Sequence, residues 1–406
     1  MTAEPTIRPV EEHEFAEWAR TGETPFFGQE LDEERLARLR SLTELPRTLA
    51  AFEGSRMVAT SALCTMNLSV PGGSVPMAGL TAVGVLPTHR RRGLLTRLMR
   101  QHLDDVVDEV EPISGLYAAE GPIYGRYGYG PAAASRHLRI EQSRTAFDAR
   151  IPLARGVRLV TVEEALAEFP GIYDAVRANR PGMPDRSEAR WRAFVGHDLP
   201  EWREGQSRRY LAQLDGRGYV MYRGDASYDH NLPRGTLSVV EHMAVDAEAA
   251  ATLWRFVFDH DLITTIRLDH RPTDDLLQVL LADPRRLTGW ETDSLWLRVV
   301  RVGEALTARR YDVEESLVLD VADDLIPDNQ GSWLLETGAD GARCTPTSSA
   351  PDLSIGVADL GAAYLGHRRL SQLLRAGLIT EHRRGAAARA DRLLFTEPAA
   401  WCPQEF

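Results

Sequence analysis

The spacing of apolar positions in the first part of the chain predicts alternating strands and helices. Residues 93–110 carry an apolar stripe at the 3.6-residue spacing of a helix with one buried face, and Pro112 follows its end. Four apolar runs bounded by turn residues predict strands at 47–52, 56–70, 75–86 and 113–118. This alternation is typical of an α/β (α+β) fold.

The middle of the chain repeats the same order of elements less clearly. The pattern predicts, in order, a hairpin, a strand, a helix, a strand and a helix: 210–222, 237–245, 247–259, 263–268 and 273–281. The order of elements alone leads us to the hypothesis of a structural duplication.

The last hundred residues have a different pattern. They predict strands at 316–321, 333–336 and 353–357, followed by helices at 358–365, 368–374 and 386–394. With about 100–200 residues in a typical domain, the 406 residues suggest three domains, 1–143, 144–298 and 299–406.

All 47 basic residues of the chain are arginine, against 59 acidic residues and a formal net charge of -12. The lack of lysine excludes a lysine Schiff base, a phosphate-loop lysine and a Ser-Lys dyad. Codon bias in a GC-rich genome explains the arginines without any function. The acidic balance argues against non-specific binding of nucleic acid or anionic membranes and favours cationic partners.

Cysteine use and the N-terminal sequence indicate the compartment. Three cysteines without a CxxC pair fit a reducing cytoplasm and predict no metal site. We expect no signal peptide, since the N-terminal stretch has no apolar core, and no membrane span, since no apolar run approaches ~18 residues. A cytoplasmic protein is therefore expected, with secretion by a non-standard route left open. His89 and His102 lack ligand spacing and are interpreted as surface or core residues, and no GxSxG or HExxH motif occurs.

Residues 81–96, TAVGVLPTHRRRGLLT, carry the most informative pattern. A strand leads through Pro87 and three arginines to Gly93, which opens the predicted helix. Helix starts carry unpaired N–H groups and the positive end of the helix dipole, and arginines add charge-assisted bonds to phosphate. The segment therefore predicts a diphosphate site made of arginine and backbone. The alternative is a solvated basic helix start that binds nothing.

This segment resembles the acetyl-CoA motif Arg/Gln-x-x-Gly-x-Gly/Ala of the GCN5-related N-acetyltransferases (GNAT), in the form found in the enhanced intracellular survival (Eis) family. Leu95 stands at the last motif position, where Gly or Ala is usual. Further stretches similar to that family are IYGRYGYGP (123–131), GYVMYR (218–223), LWLR (295–298), RCTPT (343–347), LGAAYLG (360–366) and the final Glu405-Phe406. The resemblance implies two tandem GNAT-like domains and a domain like a sterol carrier protein.

The resemblance also implies an activity and its residues. The family acetylates amines of aminoglycosides at several positions and protein lysines, and it assembles as a hexamer. The implied general acid is Tyr124, and the implied general base is the C-terminal carboxylate of Phe406. The implied acetyl-CoA contacts include the arginines of the helix start. They are Val83, Gly84, Val85, Arg90, Arg91, Arg92, Gly93, Leu94, Leu95, Thr96, Ala119 and Glu120. Ala119 replaces the usual Ser, so only a backbone contact would remain there, and the acceptor-contacting residues near position 30 stay open.

Each implied role has a simpler alternative. Tyr124 is one of four neighbouring tyrosines and could be a packed loop residue, Phe406 could be a frayed terminus, and Glu120 could be structural. The chemistry itself is reasonable. A tyrosine near pKa ~10 can protonate a thiolate near ~8.5 at a cost of about 2 kcal/mol, but a carboxylate near ~3.5 needs desolvation to act as a base. Burial of the chain end under Trp401 and Pro403 would supply that desolvation. Gly84 within a strand of branched residues predicts a bulge or a close approach, which would free N–H groups for a thioester oxygen.

The predicted second copy lacks the donor chemistry. Asp246 and Glu248 stand at its helix start, where Asp246 suits the N-cap and two acids would repel a diphosphate. We therefore expect only the first domain to bind acetyl-CoA and transfer its acetyl group to a small-molecule amine or a protein lysine. The rival interpretation is a non-catalytic protein that binds acyl-CoA or lipid and acts as a regulator.

Overall fold

The computed structural model describes residues 4–28 and 30–406, which form two compact units. The first unit takes in the described residues up to Ala132, then Leu295–Thr396 and Gln404–Phe406. The second unit comprises Ala133–Ser294 and Glu397–Pro403.

The described residues form strands β1 to β21 and helices α1 to α12, numbered in chain order. The strands are β1 Thr6–Arg8, β2 Thr48–Glu53, β3 Arg56–Val70, β4 Gly73–Val85, β5 Ile113–Tyr117, β6 Gly130–Pro131, β7 Ala134–Glu141, β8 Val157–Leu159, β9 Tyr210–Leu214, β10 Gly218–Gly224, β11 Tyr228–Asp229, β12 Leu232–Pro233, β13 Gly235–Ala244, β14 Ile263–Arg271, β15 Thr288–Asp293, β16 Leu295–Val299, β17 Glu315–Ala322, β18 Gly331–Gly338, β19 Gly341–Pro346, β20 Leu353–Gly356 and β21 Thr380–Glu381. The helices are α1 Phe15–Glu23, α2 Glu33–Leu42, α3 Leu94–Asp108, α4 Gly121–Tyr124, α5 Val162–Arg177, α6 Glu188–Trp191, α7 Ala247–Phe258, α8 Leu277–Leu280, α9 Val302–Ala308, α10 Val357–Tyr364, α11 Leu370–Arg375 and α12 Ala386–Leu394.

The first unit contains a seven-stranded sheet in the order β1-β2-β3-β4-β5-β16-β6. A tight turn joins the long strands β3 and β4, and Gly72 supplies its left-handed backbone at φ 79°. Helix α3 then packs its apolar stripe on this sheet, with Leu98, Met99 and Val106 nearly inaccessible to solvent. The predicted strands and helix of this region are therefore confirmed to within a few residues.

The second unit contains the matching sheet, in the order β15-β7-β14-β13-β10-β9-β8. Strands β9, β10 and β13 pair antiparallel, and β14 returns parallel to β13 after helix α7. Strands β2 to β5 and helix α3 have the same order and directions in the first unit. This repetition confirms the predicted duplication.

Strands β7 and β16 do not pair within the sequence segments to which they were assigned. Strand β16 pairs antiparallel with β5 in the first sheet, whereas β7 pairs with β14 and β15 in the second. The compact units therefore interleave along the chain, because each sheet is completed by a strand that is distant in sequence. The division into 1–143, 144–298 and 299–406 stays a prediction about sequence segments.

The C-terminal part of the first unit has a five-stranded sheet in the order β19-β18-β17-β20-β21, with helices α9 to α12. Arg309 is almost fully buried there and has no carboxylate partner among the described residues. Its guanidinium donates instead to the carbonyl oxygens of Tyr364 and Leu394, at the C-terminal ends of α10 and α12. Cations are favoured at such helix ends.

One predicted helix is wrong in length. The pattern at 273–281 predicts a helix, but β14 continues to Arg271 and only the four residues of α8 are helical. The buried carboxylate of Asp275 accepts from Arg271 Nε and from the backbone N–H of Leu277, which holds the preceding residues in a turn.

Candidate functional site

Strand β4 contains the bulge predicted at Gly84. Its pairing with β3 slips between Thr60↔Gly84 and Ala62↔Thr81, so one extra residue stands on β4. Ala82 adopts a left-handed backbone at φ 51°, and its carbonyl oxygen accepts from Thr60 Oγ1 at 2.9 Å. A Cβ on Gly84 would lie 3.1 Å from the carbonyl oxygen of Gly22, so the close approach is present as well.

Strands β4 and β5 separate beside this bulge. Among the described residues their parallel pairing covers only three positions, from Met77↔Ile113 to Gly79↔Gly115. Beyond Gly115, β5 continues its pairing with β16 on its other edge. The backbone of β4 after Gly79 therefore faces an opening, and Val83, Gly84 and Val85 lie along it.

The start of α3 has the geometry of an anion-binding turn. Arg91 and Gly93 both adopt left-handed backbone, at φ 62° and 78°. Gly93 is the N-cap and offers no side-chain bond to the first turn, Leu94 to Thr96. Arg90, Arg91 and Arg92 are exposed, and Arg92 also lies 3.3 Å from a Glu53 oxygen. The backbone N–H groups and the arginines together can bind phosphate oxygens.

The four tyrosines near α4 have different environments. Tyr129 is fully buried, and its hydroxyl hydrogen-bonds Ser114 Oγ at 2.8 Å. The Tyr127 hydroxyl hydrogen-bonds Thr96 Oγ1 at 3.0 Å and so links the loop to the start of α3. Tyr117 packs edge to face on Phe406, with ring centroids 5.8 Å apart.

Tyr124 is buried at the end of α4, with its ring 6.4 Å from that of Tyr129. Among the described residues no hydrogen bond involves its hydroxyl, which leaves the proton available to a ligand. Burial raises the pKa of Tyr124, and the neighbouring Tyr127 and Glu120 raise it further. The group is therefore a neutral O–H at physiological pH.

Ala119 and Glu120 follow β5 and are exposed. Glu120 is the N-cap residue of α4, where its carbonyl oxygen accepts from Ile123 N at 3.1 Å. It makes no side-chain cap bond to the helix.

Phe406 belongs to the first unit and packs at the point where β4 and β5 separate. A Cβ on Gly79 would lie 2.9 Å from the Phe406 ring and 3.1 Å from Met66 Sδ. The sequence suggested Trp401 and Pro403 as the cover of this residue, which stays a prediction. Trp401 is buried in a cluster of the second unit, where its Nε1 donates to the His270 carbonyl oxygen at 2.7 Å. Gly79 and Tyr117 provide the contacts of the Phe406 ring.

The second unit has acidic residues at the positions that correspond to the bulge and the helix start of the first unit. Asp246 caps α7 through Ala249 N at 2.8 Å and, with Glu248, pairs with Arg217. Strand β13 keeps a bulge, but Glu241 stands directly after it, where β4 has Gly84. This carboxylate is buried and bonded to Arg186 and to the Tyr219 hydroxyl. The prediction for Asp246 as an N-cap is confirmed.

His89 and His102 are core residues. His89 Nε2 lies 3.1 Å from a Glu53 oxygen, and His102 Nε2 lies 2.7 Å from Ser61 Oγ. Throughout residues 4–28 and 30–406 no group of three or more His, Cys, Asp or Glu side chains could hold a metal ion. Within the same residues, none of the helices has the length and hydropathy to cross a bilayer.

Sequence reasoning missed the residues that hold the tyrosine loop. Arg298 was noted only within the stretch LWLR, and Asp323 was not noted at all. Arg298 donates to the Tyr127 carbonyl oxygen in the loop, and Asp323 pairs with Arg298. Both bonds join residues far apart in sequence, so no local pattern could have identified these two residues.

Comparisons with known proteins define the class first. Family models described as acetyltransferase (GNAT) domains match residues 6–132 and 182–302, and a sterol carrier protein domain matches 302–403. An uncharacterized N-acetyltransferase of Streptomyces griseus is 38% identical over 98% of this chain and 99% of its own. The chain is thus a GCN5-related N-acetyltransferase, and the bulged strand β4 and its separation from β5 are part of that fold.

Two further matches identify the family within that class. N-acetyltransferase Eis of Mycobacterium tuberculosis is 37% identical over 80% of each chain. The crystal structure of Eis1 from Mycobacterium abscessus superposes with a TM-score of 0.86 at 32% identity, covering 99% of this chain and 100% of that one. The chain belongs to the Eis family of N-acetyltransferases.

Proposed function

We propose that this N-acetyltransferase transfers the acetyl group of acetyl-CoA to primary amines of polycationic acceptors, with Tyr124 as general acid and the terminal carboxylate of Phe406 as general base. One observation carries the proposal. The Phe406 ring lies over Gly79, whereas Tyr124 belongs to the apolar cluster that contains Leu80. Because successive strand residues face opposite sides of a sheet, the Phe406 ring and the Tyr124 ring lie on opposite faces of the sheet beside the β4–β5 opening.

The first unit supports binding of the donor at this opening. The bulge at Ala82 and Val83, with Gly84 and Val85 after it, presents strand backbone that β5 does not pair, which suits hydrogen bonds to an acyl chain and a thioester oxygen. The first turn of α3, residues 94–96, with Arg90, Arg91, Arg92 and Gly93, would hold the diphosphate. Ala119 and Glu120 would contribute backbone contacts only.

Acid and base on opposite faces suit acetyl transfer. The amine loses a proton to the Phe406 carboxylate as its nitrogen bonds to the acetyl carbon. The carbon–sulfur bond breaks, and the Tyr124 hydroxyl gives its proton to the leaving thiolate. The Phe406 carboxylic acid then releases its proton to solvent, and the Tyr124 phenolate takes one up. The net change therefore moves one proton from amine to thiol, and no further reactant is required.

The acceptor class follows from charge and family. The chain has a net charge of -12, which attracts polycations. Membership in the Eis family adds aminoglycoside-like amines, acetylated at several positions, and protein lysines to the candidates. A homohexamer stays a prediction that the same resemblance implies, and gel filtration with light scattering would measure the assembly. A cytoplasmic location stays a prediction from cysteine use and the N-terminal sequence.

The experiment measures thiol release from acetyl-CoA with an aminoglycoside, a polyamine and a lysine peptide in turn. Three proteins are compared: the native chain, a chain with two residues added after Phe406, and Tyr124→Phe. A chain with the same two residues added before Met1 is the control for the extension. We expect turnover in the native and control chains, and losses of tenfold or more in the other two, with affinity for coenzyme A unchanged.

Each alternative has its own outcome. Binding of coenzyme A without acceptor-dependent thiol release in the native chain would favour a regulatory binding protein. Full activity of the C-terminally extended chain would remove Phe406 from the mechanism. Loss of coenzyme A binding in Tyr124→Phe would assign that residue to structure rather than to catalysis.

A further inference from the structure

The loop that carries Tyr124 is held from the C-terminal part of the first unit. Arg298, at the end of β16, is fully buried, and its Nη1 donates to the Tyr127 carbonyl oxygen at 2.9 Å. Its Nη2 lies 2.8 Å from both carboxylate oxygens of Asp323. One guanidinium thus joins the tyrosine loop to the segment after β17.

The loop backbone is shaped around this guanidinium. Gly128 has a left-handed backbone at φ 82°, and a Cβ there would lie 1.6 Å from Arg298 Nη1. Two residues later, a Cβ on Gly130 would lie 2.0 Å from the Ala358 carbonyl oxygen in α10. Tyr129 N donates back to the Tyr124 carbonyl oxygen at 3.3 Å, so the loop is closed on itself. The position of the loop therefore depends on its contacts with the Arg298 guanidinium and with the Ala358 carbonyl group of α10.

Asp323 is itself fixed by four further bonds. Its carboxylate accepts from the backbone N–H groups of Leu325 and Ile326, at 3.1 and 3.2 Å, and from Asn329 Nδ2 at 2.9 Å. Its own backbone N–H donates to Gln330 Oε1 at 3.0 Å. The carboxylate thus has the charge and the hydrogen bonds that a buried ion pair requires.

We infer that Arg298 and Asp323 are positioning residues for catalysis: through them the sterol-carrier-like part of the chain sets the place of the Tyr124 hydroxyl. The inference rests on the proposed function, since it takes Tyr124 as the general acid. It gives that part of the chain a role in the chemical step. The polar groups that face Tyr124 are Glu120, Tyr127 and Tyr129, and Arg298 acts on this group through the Tyr127 carbonyl.

The test replaces the buried pair by apolar residues, R298M/D323L, because such replacements often preserve folding whereas loss of one partner does not. The matched control is R186M/E241L, an equally buried pair in the second unit. Both variants are made in the native and the Tyr124→Phe background. We expect R298M/D323L to lower kcat about tenfold or more in the native background, with KM for acetyl-CoA nearly unchanged. Thermal stability should fall in this variant and in the control alike, because both lose hydrogen bonds of a buried ion pair. In the Tyr124→Phe background R298M/D323L should change kcat less than twofold.

The two backgrounds separate positioning from general damage. An equal loss of kcat in both backgrounds, or no loss in the native one, would overturn the inference. If Tyr124→Phe alone has native turnover, the assignment of the acid fails first, and the inference fails with it. Should R298M/D323L not fold, R298K serves instead. Lysine keeps the charge for Asp323 but lacks the fork that also reaches Tyr127, so the same dependence on Tyr124 is expected.

Discussion

Gly79 leaves the space in which the Phe406 ring packs. A methyl group at this position would lie 2.9 Å from the Phe406 ring, which is closer than real contacts allow, so the ring must move. We expect Gly79→Ala to lower kcat about tenfold through displacement of the terminal carboxylate, while affinity for coenzyme A stays unchanged. Steady-state kinetics and calorimetric titration measure the two quantities.

Gly73 offers the matched control, since it lies in the same strand and a Cβ there meets nothing within 4 Å. Gly73→Ala should have native kcat. If the two alanine variants behaved alike, the contact between residue 79 and the terminal ring would have no part in catalysis.

Tyr124 gives a second prediction at the scale of one residue. A general acid works only while it is protonated, and burial raises the pKa of Tyr124 above its ordinary value of about 10. The alkaline fall of kcat should therefore lie above pH 10, and it should be absent from the residual activity of Tyr124→Phe. A fall centred well below pH 10 in the native enzyme would point to another acid.

Helix α3 shows what local sequence can and cannot predict. Its apolar stripe, its glycine start and its arginines lie within a few residues of one another, so the helix and its anion-binding start were predictable. The contact between Arg298 and Tyr127 joins positions 171 residues apart. Periodicity carries no information on such pairs. For the same reason it could not predict that β7 pairs with β14 and β15 in the second sheet, or that β16 pairs with β5 in the first.

The arginines at the start of α3 should bind only the diphosphate part of acetyl-CoA and have no role in the chemical step. We expect R90Q/R91Q to raise KM for acetyl-CoA about tenfold, because charge-assisted bonds to phosphate are lost, with kcat changed less than twofold. The variant R56Q/R100Q removes the same charge from exposed positions of the first unit and should have native KM. S-acetylpantetheine lacks the diphosphate, so its KM should be equal in all three proteins. A raised KM for that shorter donor would mean that the substitutions disturb the strand site instead.

At the scale of the whole molecule the duplication was predictable from the order of elements, but the way the two units share the chain was not. Each unit builds its own core, and both cores contain a buried histidine with a strongly lowered pKa: His102 in the first and His242 in the second. Burial, with nearby Arg47 and Arg271, lowers the pKa of each to about 3. Both histidines are therefore neutral in the folded protein and take up protons only on unfolding.

These two histidines predict loss of stability in mild acid. Above pH 6.5, the ordinary pKa of an unfolded histidine, such a group leaves the free energy of unfolding unchanged. As the pH falls from about 6.5 toward about 3, only the unfolded state takes up the proton, so the free energy of unfolding decreases. Between pH 7 and pH 5 each histidine should remove about 2 kcal/mol from the free energy of unfolding of its own unit. Urea unfolding at the two pH values measures this loss. His102→Gln should flatten the pH dependence of the first unit and leave that of the second, and His242→Gln should do the reverse. If neither substitution changed the acid sensitivity, carboxylates that are ion-paired in the fold would be its cause instead.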